Sequence, residues 1–301
     1  ISLPSISNIL SDTFTFSFQL KPGDYNEPCY YDLPEKLAII SDVEGNFFSF
    51  REFLVNNKII DNYNNWIFGN GHLVLTGDMF DRGLYVTQTL WFIYKLEQEA
   101  AAAGGYVHFI LGNHEIMNMN NDLRYVRKKY FENCKLMNEE YKYLYTMQTK
   151  LGRWLNSKNI MEKIGQYFFV HGGISQEFAS GGFDINQINS KAREYYFNSR
   201  AAKNSGDTLA KLIFSGKTSP FWYRGYIDGT ADEKNIDLLL NTINCDKIIV
   251  GHTIVEDIKY FYNGKIIGVD TDHASGDTEG LLIENGIEYR VDISGNRSTV
   301  K

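Results

Sequence analysis

The stretch LTGDMFDRG, residues 75–83, decides the fold. It follows a short apolar run and places two carboxylates, Asp78 and Asp81, three positions apart beside the guanidinium of Arg82. Glycines near both ends allow the backbone to come close to a ligand. The combination indicates a site for metal and phosphate, although a solvated turn with an ion pair would use the same residues.

Bulk properties exclude several classes of protein. The chain has 301 residues, with 30 Lys and Arg against 37 Asp and Glu, and its net charge of -7 disfavours a nucleic-acid partner held by phosphate contacts. No apolar run reaches the roughly 18 residues of a membrane-spanning segment. The three cysteines form no C-x-x-C pair, so neither a disulfide framework nor a structural zinc site is expected.

The domain organisation is predicted to be simple. Residues 1–35 are interpreted as an extended N-terminal arm with one edge strand, and residues 36–301 as a single domain. The sequence begins at Ile1 rather than Met, so a signal peptide could have been removed. Because no apolar run could span a membrane, we expect a soluble protein. Its compartment, cytoplasmic or exported, is left open.

One pattern occurs five times in the chain. A short apolar run typical of a buried strand stops at glycine and at polar side chains that can bind metals. Residues 37–40 lead into Asp42 and Glu44, 73–75 into Asp78, 107–111 into Asn113 and His114, 168–170 into His171, and 248–250 into His252. Because ligands collect at the carboxyl ends of the strands in α/β proteins, we expect these five strand ends to form one site.

Helix and hairpin signals complete the predicted fold. Apolar spacing predicts helices after the first two clusters, the second of them ending near Gly104, and a helical cap over about 116–165. A further helix is predicted to start at Asp184. Asn263-Gly264 and Asn285-Gly286 predict hairpins near the end of the chain, where a second sheet could form against the first. The expected architecture is α/β, with two facing sheets and helices outside.

The candidate ligands combine hard oxygen with imidazole and include no thiolate. They are Asp42, Glu44, Asp78, Asn113, His171 and His252. This set favours manganese, iron or magnesium, or a catalytic zinc, over a structural zinc. Six donors exceed the needs of one ion, and a bridging Asp78 would fit two ions about 3.5–4 Å apart. Individually, a histidine after a strand is often only hydrogen-bonded, and a strand-terminal aspartate is often a helix cap.

Four motifs in this order resemble the calcineurin-like metallophosphoesterases, and within them the phosphoprotein phosphatase branch. They are Gly77-Asp78-x-x-Asp81-Arg82-Gly83, Gly112-Asn113-His114-Glu115, His171-Gly172-Gly173 and Gly251-His252-Thr253. The sequences DLRYV at 122–126, GRWL at 152–155 and WYR at 222–224 resemble in particular the bacterial Shewanella-like phosphatases. The resemblance covers roughly residues 36–292.

The resemblance implies a four-layer αββα sandwich of two mixed sheets, with a centre for two metal ions. Asp42 and Asp78 would hold the first ion, and Asp78, Asn113, His171 and His252 the second. A hydroxide bridging the ions would attack phosphorus. His114, oriented by Asp81, would protonate the leaving oxygen, and Arg82, Asn113 and Arg224 would bind the phosphoryl oxygens. Manganese or iron is expected at the two sites, with magnesium or zinc as alternatives.

Two positions depart from the family pattern. Glu44 stands where the first motif usually has histidine, which would make the first site wholly oxygen-based and favour harder ions. Ile254 stands where many related esterases have a further histidine. His273 is a candidate to replace the missing imidazole, the alternative being an exposed loop histidine. Arg224 could instead stack on Trp222 or Tyr223.

The leading hypothesis is a phosphomonoester hydrolase acting on phosphoprotein, at Ser/Thr or Tyr, or on small aryl phosphates. One alternative on the same scaffold is a nucleotide or dinucleoside polyphosphate hydrolase. An alternative of another class is a module that recognises phosphate with an impaired first metal site. The substrate itself is left open, because neither the cap nor the loop around Arg224 carries a specificity signal.

Overall fold

The computed structural model describes residues 2–3 and 14–301, with side chains from residue 15 onward. Residues 4–13, part of the predicted N-terminal arm, lie outside the described residues. The strands are β1 (Ser2–Leu3), β2 (Phe14–Thr15), β3 (Tyr30–Tyr31), β4 (Lys36–Ile40), β5 (His72–Leu75), β6 (Tyr106–Phe109), β7 (Met161–Ile164), β8 (Tyr167–Val170), β9 (Lys247–Val250), β10 (Lys259–Phe261), β11 (Ile266–Gly268), β12 (Glu279–Glu284), β13 (Ile287–Asp292) and β14 (Arg297–Thr299).

The α-helices are α1 (Phe47–Asn56), α2 (Val86–Ala102), α3 (Asn113–Met119), α4 (Lys128–Leu136), α5 (Lys150–Asn156), α6 (Gln176–Ala179), α7 (Ile185–Tyr195), α8 (Ser199–Asn204), α9 (Thr208–Phe214) and α10 (Glu233–Ile243). No helix of the described part of the chain is both long and apolar enough to cross a bilayer.

Two mixed sheets of six strands each form the centre of the molecule, as predicted. The first has the order β14-β13-β12-β4-β5-β6, and the second β10-β11-β9-β8-β7-β3. The β4, β5 and β6 strands are parallel in the first sheet, and β8 and β9 are parallel in the second. All five strands that precede the predicted ligand clusters are therefore present, in two parallel groups.

Alternating side chains give each strand two apolar faces. On β4, Leu37 and Ile39 pack in a cluster that also contains Phe169 and Ile249 of the second sheet, so this cluster fills the space between the sheets. The neighbouring side chains of Ala38 and Ile40 belong to the larger cluster shared with the helices. Since side chains alternate across a strand, burial on both faces requires continuous apolar runs, which the sequence has.

The predicted helix boundaries are found close to their signals. Asp184 caps α7 by accepting a hydrogen bond from the Gln187 N–H at 3.1 Å. After α2, Gly104 has a φ of +81°, a conformation common just past a helix end. Both Asn-Gly pairs have positive φ at both residues and join β10 to β11 and β12 to β13. Both predicted hairpins are confirmed.

Two details differ from the prediction. The last hairpin does not build a second sheet, because β12 pairs antiparallel with β4, placing Leu281 opposite Ile39 and completing the first sheet. The second sheet instead uses β7, at Met161–Ile164, which lies inside the range predicted as helical cap. This strand forms because it turns back at Gly165, with a φ of +56°, to pair with β8.

Candidate active site

Four of the six predicted metal ligands lie in left-handed backbone. The φ angle is +51° at Asp42, +48° at Glu44, +56° at Asp78 and +65° at His252. Such angles are uncommon for residues other than glycine and cluster at functional sites, where surrounding contacts maintain them. Here the loops support one another, since the Asp42 N–H donates to the Gly77 carbonyl and the Glu44 N–H to the Asp78 carbonyl, each at 3.0 Å.

A buried carboxylate, Glu115, fixes the loop that carries Asp78. It accepts hydrogen bonds from the amides of Asp78, Met79 and Phe80 at 2.9, 2.7 and 3.3 Å. It also accepts one from Gly112 at 2.7 Å, so the loops after β5 and β6 share one acceptor. Burial and the nearby Asp78 raise the pKa of Glu115 to about 7.

Asp78 lies at the centre of the cluster. Its carboxylate belongs to two groups of candidate ligands whose atoms lie within 4.8 Å of one another, one with His171 and His252 and the other with Glu44 and His114. All of these side chains are buried. A carboxylate shared between two such groups is the feature that a pair of metal ions requires.

Around the first of these groups the donor atoms converge on one point. The amide oxygen of Asn113 lies about 3.0 Å from His171 Nε2, and its position is 2.8 Å from His252 Nδ1 and 3.3 Å from Asp78 Oδ2. These atoms are all acceptors unless protonated, so a cation among them would satisfy the amide oxygen. Turning the amide over would instead bring its NH2 to the same atoms. The donor set therefore fits a metal ion.

The two histidines of this group differ in electrostatics. Nδ1 of His171 lies 2.8 Å from the Thr76 carbonyl, which leaves Nε2 to face Asp78 at 3.1 Å. Although burial opposes the charged form, Asp78 and Asp42 raise the pKa of His171 to about 10. Burial and the charge of His171 lower the pKa of His252 to about 2. A metal ion would replace the proton of His171, because a ligating imidazole must be neutral.

The first predicted metal site is rich in carboxylates. Asp42, Glu44, Asp78 and Asp270 line an inner cavity of about 260 Å³. Asp42 accepts from the His252 N–H at 3.1 Å, which ties the loops after β4 and β9 together. Burial, reinforced by the charge of Asp42, raises the pKa of Asp270 well above its ordinary value. An all-oxygen set of this kind fits hard ions.

Glu44 and Arg82, two residues predicted to serve metal and phosphate, form an ion pair with each other. The Arg82 side chain is half-exposed and Glu44 is buried. The Arg82 guanidinium also lies 5.3 Å from the centre of the Tyr125 ring. Arg82 is therefore held at the mouth of the inner cavity by a carboxylate and an aromatic face.

His114 lies against two acidic side chains. Its Nδ1 is 2.6 Å from Asp81 Oδ2, and its Nε2 is 3.8 Å from Asp78 Oδ2. Burial lowers the pKa of His114, but Asp78 and the hydrogen-bonded Asp81 outweigh it and leave the pKa raised. A proton on Nε2 would consequently face the centre of the site, which is the position of a general acid.

Arg224 and His273 differ in what they contact. Arg224 donates from Nη1 to the His252 carbonyl at 2.8 Å and to Thr253 Oγ1 at 3.1 Å. Among the described residues it does not lie over the ring of Trp222 or Tyr223. The interpretation of His273 as an exposed loop histidine is wrong, because the ring is buried and its Nε2 is 2.7 Å from the Ser41 carbonyl. Nε2 of His273 is therefore hydrogen-bonded to the backbone carbonyl of Ser41, the residue before Asp42.

Sequence reasoning missed two side chains that the structure places at the candidate site. Asp270 follows β11 as Asp42 follows β4, but the preceding run of Ile266, Ile267 and Gly268 is short and follows a hairpin, so it was not recognised as a sixth strand end. Glu115 belongs to the Gly112-Asn113-His114-Glu115 motif, but the sequence assigns it no role. Only the structure shows that its carboxylate accepts hydrogen bonds from four backbone amides. The apolar run followed by Asp270-Thr271 was the available signal for the first.

Comparisons with known proteins agree with this geometry. The calcineurin-like phosphoesterase family matches residues 35–256. Shewanella-like protein phosphatase 2 of Arabidopsis thaliana is 27% identical over an alignment of 335 positions, gaps included, which covers 93% of this chain and 84% of that protein. The crystal structure of a cold-active protein-tyrosine phosphatase of a psychrophilic Shewanella species is 39% identical, covers 92% of this chain and 83% of that one, and superposes with a TM-score of 0.87.

A protein serine/threonine phosphatase from Saccharomyces cerevisiae shares the fold at 17% identity and a TM-score of 0.58. The two facing sheets flanked by helices are thus the sandwich of the metallophosphoesterases, and the predicted resemblance to Shewanella-like phosphatases is confirmed. The family match spans most of the chain and includes all of the predicted ligands. This protein is a metal-dependent phosphoester hydrolase of the calcineurin-like phosphoesterase family.

Proposed function

We propose that this enzyme uses two metal ions to hydrolyse phosphomonoesters of proteins, with phosphotyrosine as the preferred class. The observation that carries the proposal is the position of the Asp78 carboxylate, which is shared by two groups of buried donors. Asp42, Glu44 and Asp270, which line the inner cavity with Asp78, would hold the first ion, and His114, the other member of this group, would remain free to carry a proton. Asn113, His171 and His252 would complete the second site.

When bound, two ions would supply a water acidic enough to lose a proton near neutral pH and would neutralise charge on the phosphoryl group. Side chains of the protein bind the phosphoryl group and supply the proton for the leaving group. Arg224 and Arg82 bind the phosphoryl oxygens, for which a planar guanidinium is suited. His114 gives its Nε2 proton to the leaving oxygen, and Asp81 orients the ring from the Nδ1 side.

The preference for an aryl ester rests on the walls of the inner cavity. Tyr125, Trp222 and Ile254 line it, and Tyr125 and Ile254 are exposed at 41% and 61%. Apolar walls of this kind pack against an aromatic leaving group better than against a short alkyl one. The Shewanella protein of similar structure, described as a tyrosine phosphatase, supports the same preference.

The experiment is to load the protein with manganese, count bound metal by mass spectrometry, and measure hydrolysis of p-nitrophenyl phosphate and of matched phosphotyrosine and phosphoserine peptides. We expect two ions per chain, and loss of turnover in Asp78→Asn and His114→Ala. Asn204→Ala, exposed at the end of α8, is the matched control. Unchanged turnover in either active-site variant would overturn the mechanism.

The Glu44 and Arg82 ion pair gives the binding-module alternative a specific basis, because a carboxylate committed to an arginine is a weaker metal ligand. One ion per chain, together with no turnover under any divalent cation, would favour that alternative. Faster hydrolysis of dinucleoside polyphosphates than of any phosphopeptide would favour the polyphosphate hydrolase.

A further inference from the structure

An outer cavity of about 750 Å³ lies beside the metal centre. Asn113, Trp222 and Arg224 line both this cavity and the inner one, so the two adjoin at these side chains. The remaining walls come from α3 and the loop after it on one side, and from the α8 to α9 region on the other. A chain attached to a phosphoryl group at the metal centre would therefore lie next to this outer space.

The charged side chains of the outer cavity are mostly basic. Lys203 on α8 and Lys217 in the turn after α9 are exposed, and among the described residues no carboxylate lies within ion-pair distance of either. Arg224 likewise has no carboxylate partner in that part of the chain, since its guanidinium contacts a carbonyl and a hydroxyl. The outer cavity is thus lined by three cations without a carboxylate partner among the described residues, although the net charge of the chain is -7.

Acidic groups offset this charge only in part. Asp122 lines the cavity but pairs with Arg124 at 2.8 Å, and that arginine lines the cavity as well. Asp228 is the other acidic lining residue. The four lining cations therefore exceed the two lining carboxylates, and the field in the cavity favours a negative partner.

The floor of the outer cavity is apolar. Met117, Phe214 and Phe221 contribute to it and are buried. Lys203 and Lys217 line the outer cavity but not the inner one, so the charge they attract lies away from the phosphoryl group. A peptide with acidic side chains next to its phosphorylated residue would match the positive charge of the outer cavity, and its apolar side chains would match the apolar floor. The phosphates of a polyphosphate adjoin the scissile bond and would lie in the inner cavity.

We infer that the outer cavity selects phosphopeptides with Asp or Glu close to the phosphorylated residue, through Lys203 and Lys217. This inference rests on the proposed phosphatase function and specifies its substrate class. The two lysines act as specificity residues and take no part in the chemistry.

The test compares three proteins. The double variant Lys203→Glu/Lys217→Glu reverses the charge of the outer cavity. The matched control, Lys211→Glu/Lys234→Glu, makes the same change of net charge at two exposed lysines that do not line the cavity and have no ion-pair partner among the described residues. Both are assayed beside the unmodified protein with p-nitrophenyl phosphate, an acidic phosphotyrosine peptide, and a peptide in which Asn and Gln replace its Asp and Glu.

We expect the unmodified protein and the control to prefer the acidic peptide by about tenfold in kcat/KM at low salt, mainly through KM. The cavity variant should lose that preference and keep its activity on p-nitrophenyl phosphate. High salt should reduce the preference, because exposed charges are screened. Equal rates for both peptides with the unmodified protein, or a preference retained by the cavity variant, would overturn the inference.

A binding measurement separates this inference from the proposed function. In the His114→Ala background, fluorescence anisotropy gives the Kd of each labelled peptide whether or not hydrolysis occurs. If no peptide is hydrolysed although p-nitrophenyl phosphate is, the proposed substrate class fails, and tighter binding of the acidic peptide would still support the cavity assignment. The contrary outcome is that a dinucleoside tetraphosphate displaces the acidic peptide and binds more tightly than the peptide does. If that tighter binding also depended on Lys203 and Lys217, the cavity would be assigned to polyphosphate and the inference overturned.

Discussion

The Glu44 carboxylate and the Arg82 guanidinium are ion-paired at the mouth of the inner cavity. One residue comes from the loop after β4 and the other from the loop after β5, so the pair joins a predicted metal ligand to a predicted phosphate ligand. Because a carboxylate has two oxygens, Glu44 can keep one on Arg82 and offer the other to an ion. A histidine at this position could not do both.

The first prediction concerns metal selectivity at this position. Glu44→His replaces a hard oxygen with imidazole, so we expect the ratio of bound zinc to bound manganese to rise by about tenfold after dialysis against equal concentrations of both. Mass spectrometry of the dialysed protein measures it. Glu52→His, on α1, is the control, and an unchanged ratio in Glu44→His would show that Glu44 does not bind metal.

The second prediction concerns the pH profile. Asp81 raises the pKa of His114, so the imidazole keeps its proton to higher pH than it would alone. If His114 is the general acid, activity falls as pH rises through that pKa. Asp81→Asn should move the alkaline limb of the kcat profile to lower pH and reduce kcat by about 10- to 100-fold. An alkaline limb that stays in place would exclude this pairing from catalysis.

The third prediction concerns the stability contributed by Glu115. Glutamine keeps one oxygen that can accept hydrogen bonds. Its NH2 group, in place of the other oxygen, would face two of the four amide N–H groups that now donate to the carboxylate. We expect Glu115→Gln to lower the free energy of unfolding by roughly 2 to 4 kcal/mol. Urea denaturation measures the change. Glu177→Gln, exposed on α6, should change it little, and equal stability of the two variants would contradict the account.

The fourth prediction concerns acid sensitivity from a buried pair away from the active site. His108 lies between the sheets, with Nδ1 2.6 Å from Glu162 Oε2 and Nε2 2.9 Å from His72 Nδ1. Burial lowers the pKa of His108 to about 3 and raises that of Glu162 to about 8, so both are neutral near pH 7. Burial, with the neighbouring His108, also lowers the pKa of His72 to about 4.

The sign follows from proton uptake. Below about pH 6.5 the unfolded chain binds a proton at position 108 that the folded chain does not bind until about pH 3. The contribution of His108 to the free energy of unfolding therefore decreases as the pH is lowered through that window, by up to about 1.4 kcal/mol per pH unit. His108→Asn should flatten the dependence measured by urea titrations at a series of pH values. His72 and His273 contribute in the same direction, and Glu162, whose pKa is raised in the folded chain, contributes in the opposite direction, so only the difference between the two proteins is diagnostic.

The sequence predicted the strand ends well because each is a local signal. An apolar run before Asp78 or His171 can be recognised without knowing which strand pairs with it. Contacts between distant segments were harder to foresee. Nothing local indicates that β12 pairs with β4, that Asp270 lies beside Asp42, or that Glu44 and Arg82 meet. These depend on sheet register and loop conformation, which the polar pattern of the sequence does not encode position by position.

The four amides gathered by Glu115 also bear on how the enzyme acquires its metal. Ligands on separate loops usually repel one another until an ion arrives, and here Asp42, Asp78 and Asp270 are close together. The Glu115 carboxylate, with the hydrogen bonds between the Asp42 and Asp78 loops, anchors the backbone against that repulsion. The backbone that carries the candidate ligands is therefore held in place by hydrogen bonds within the chain itself, before any ion is bound.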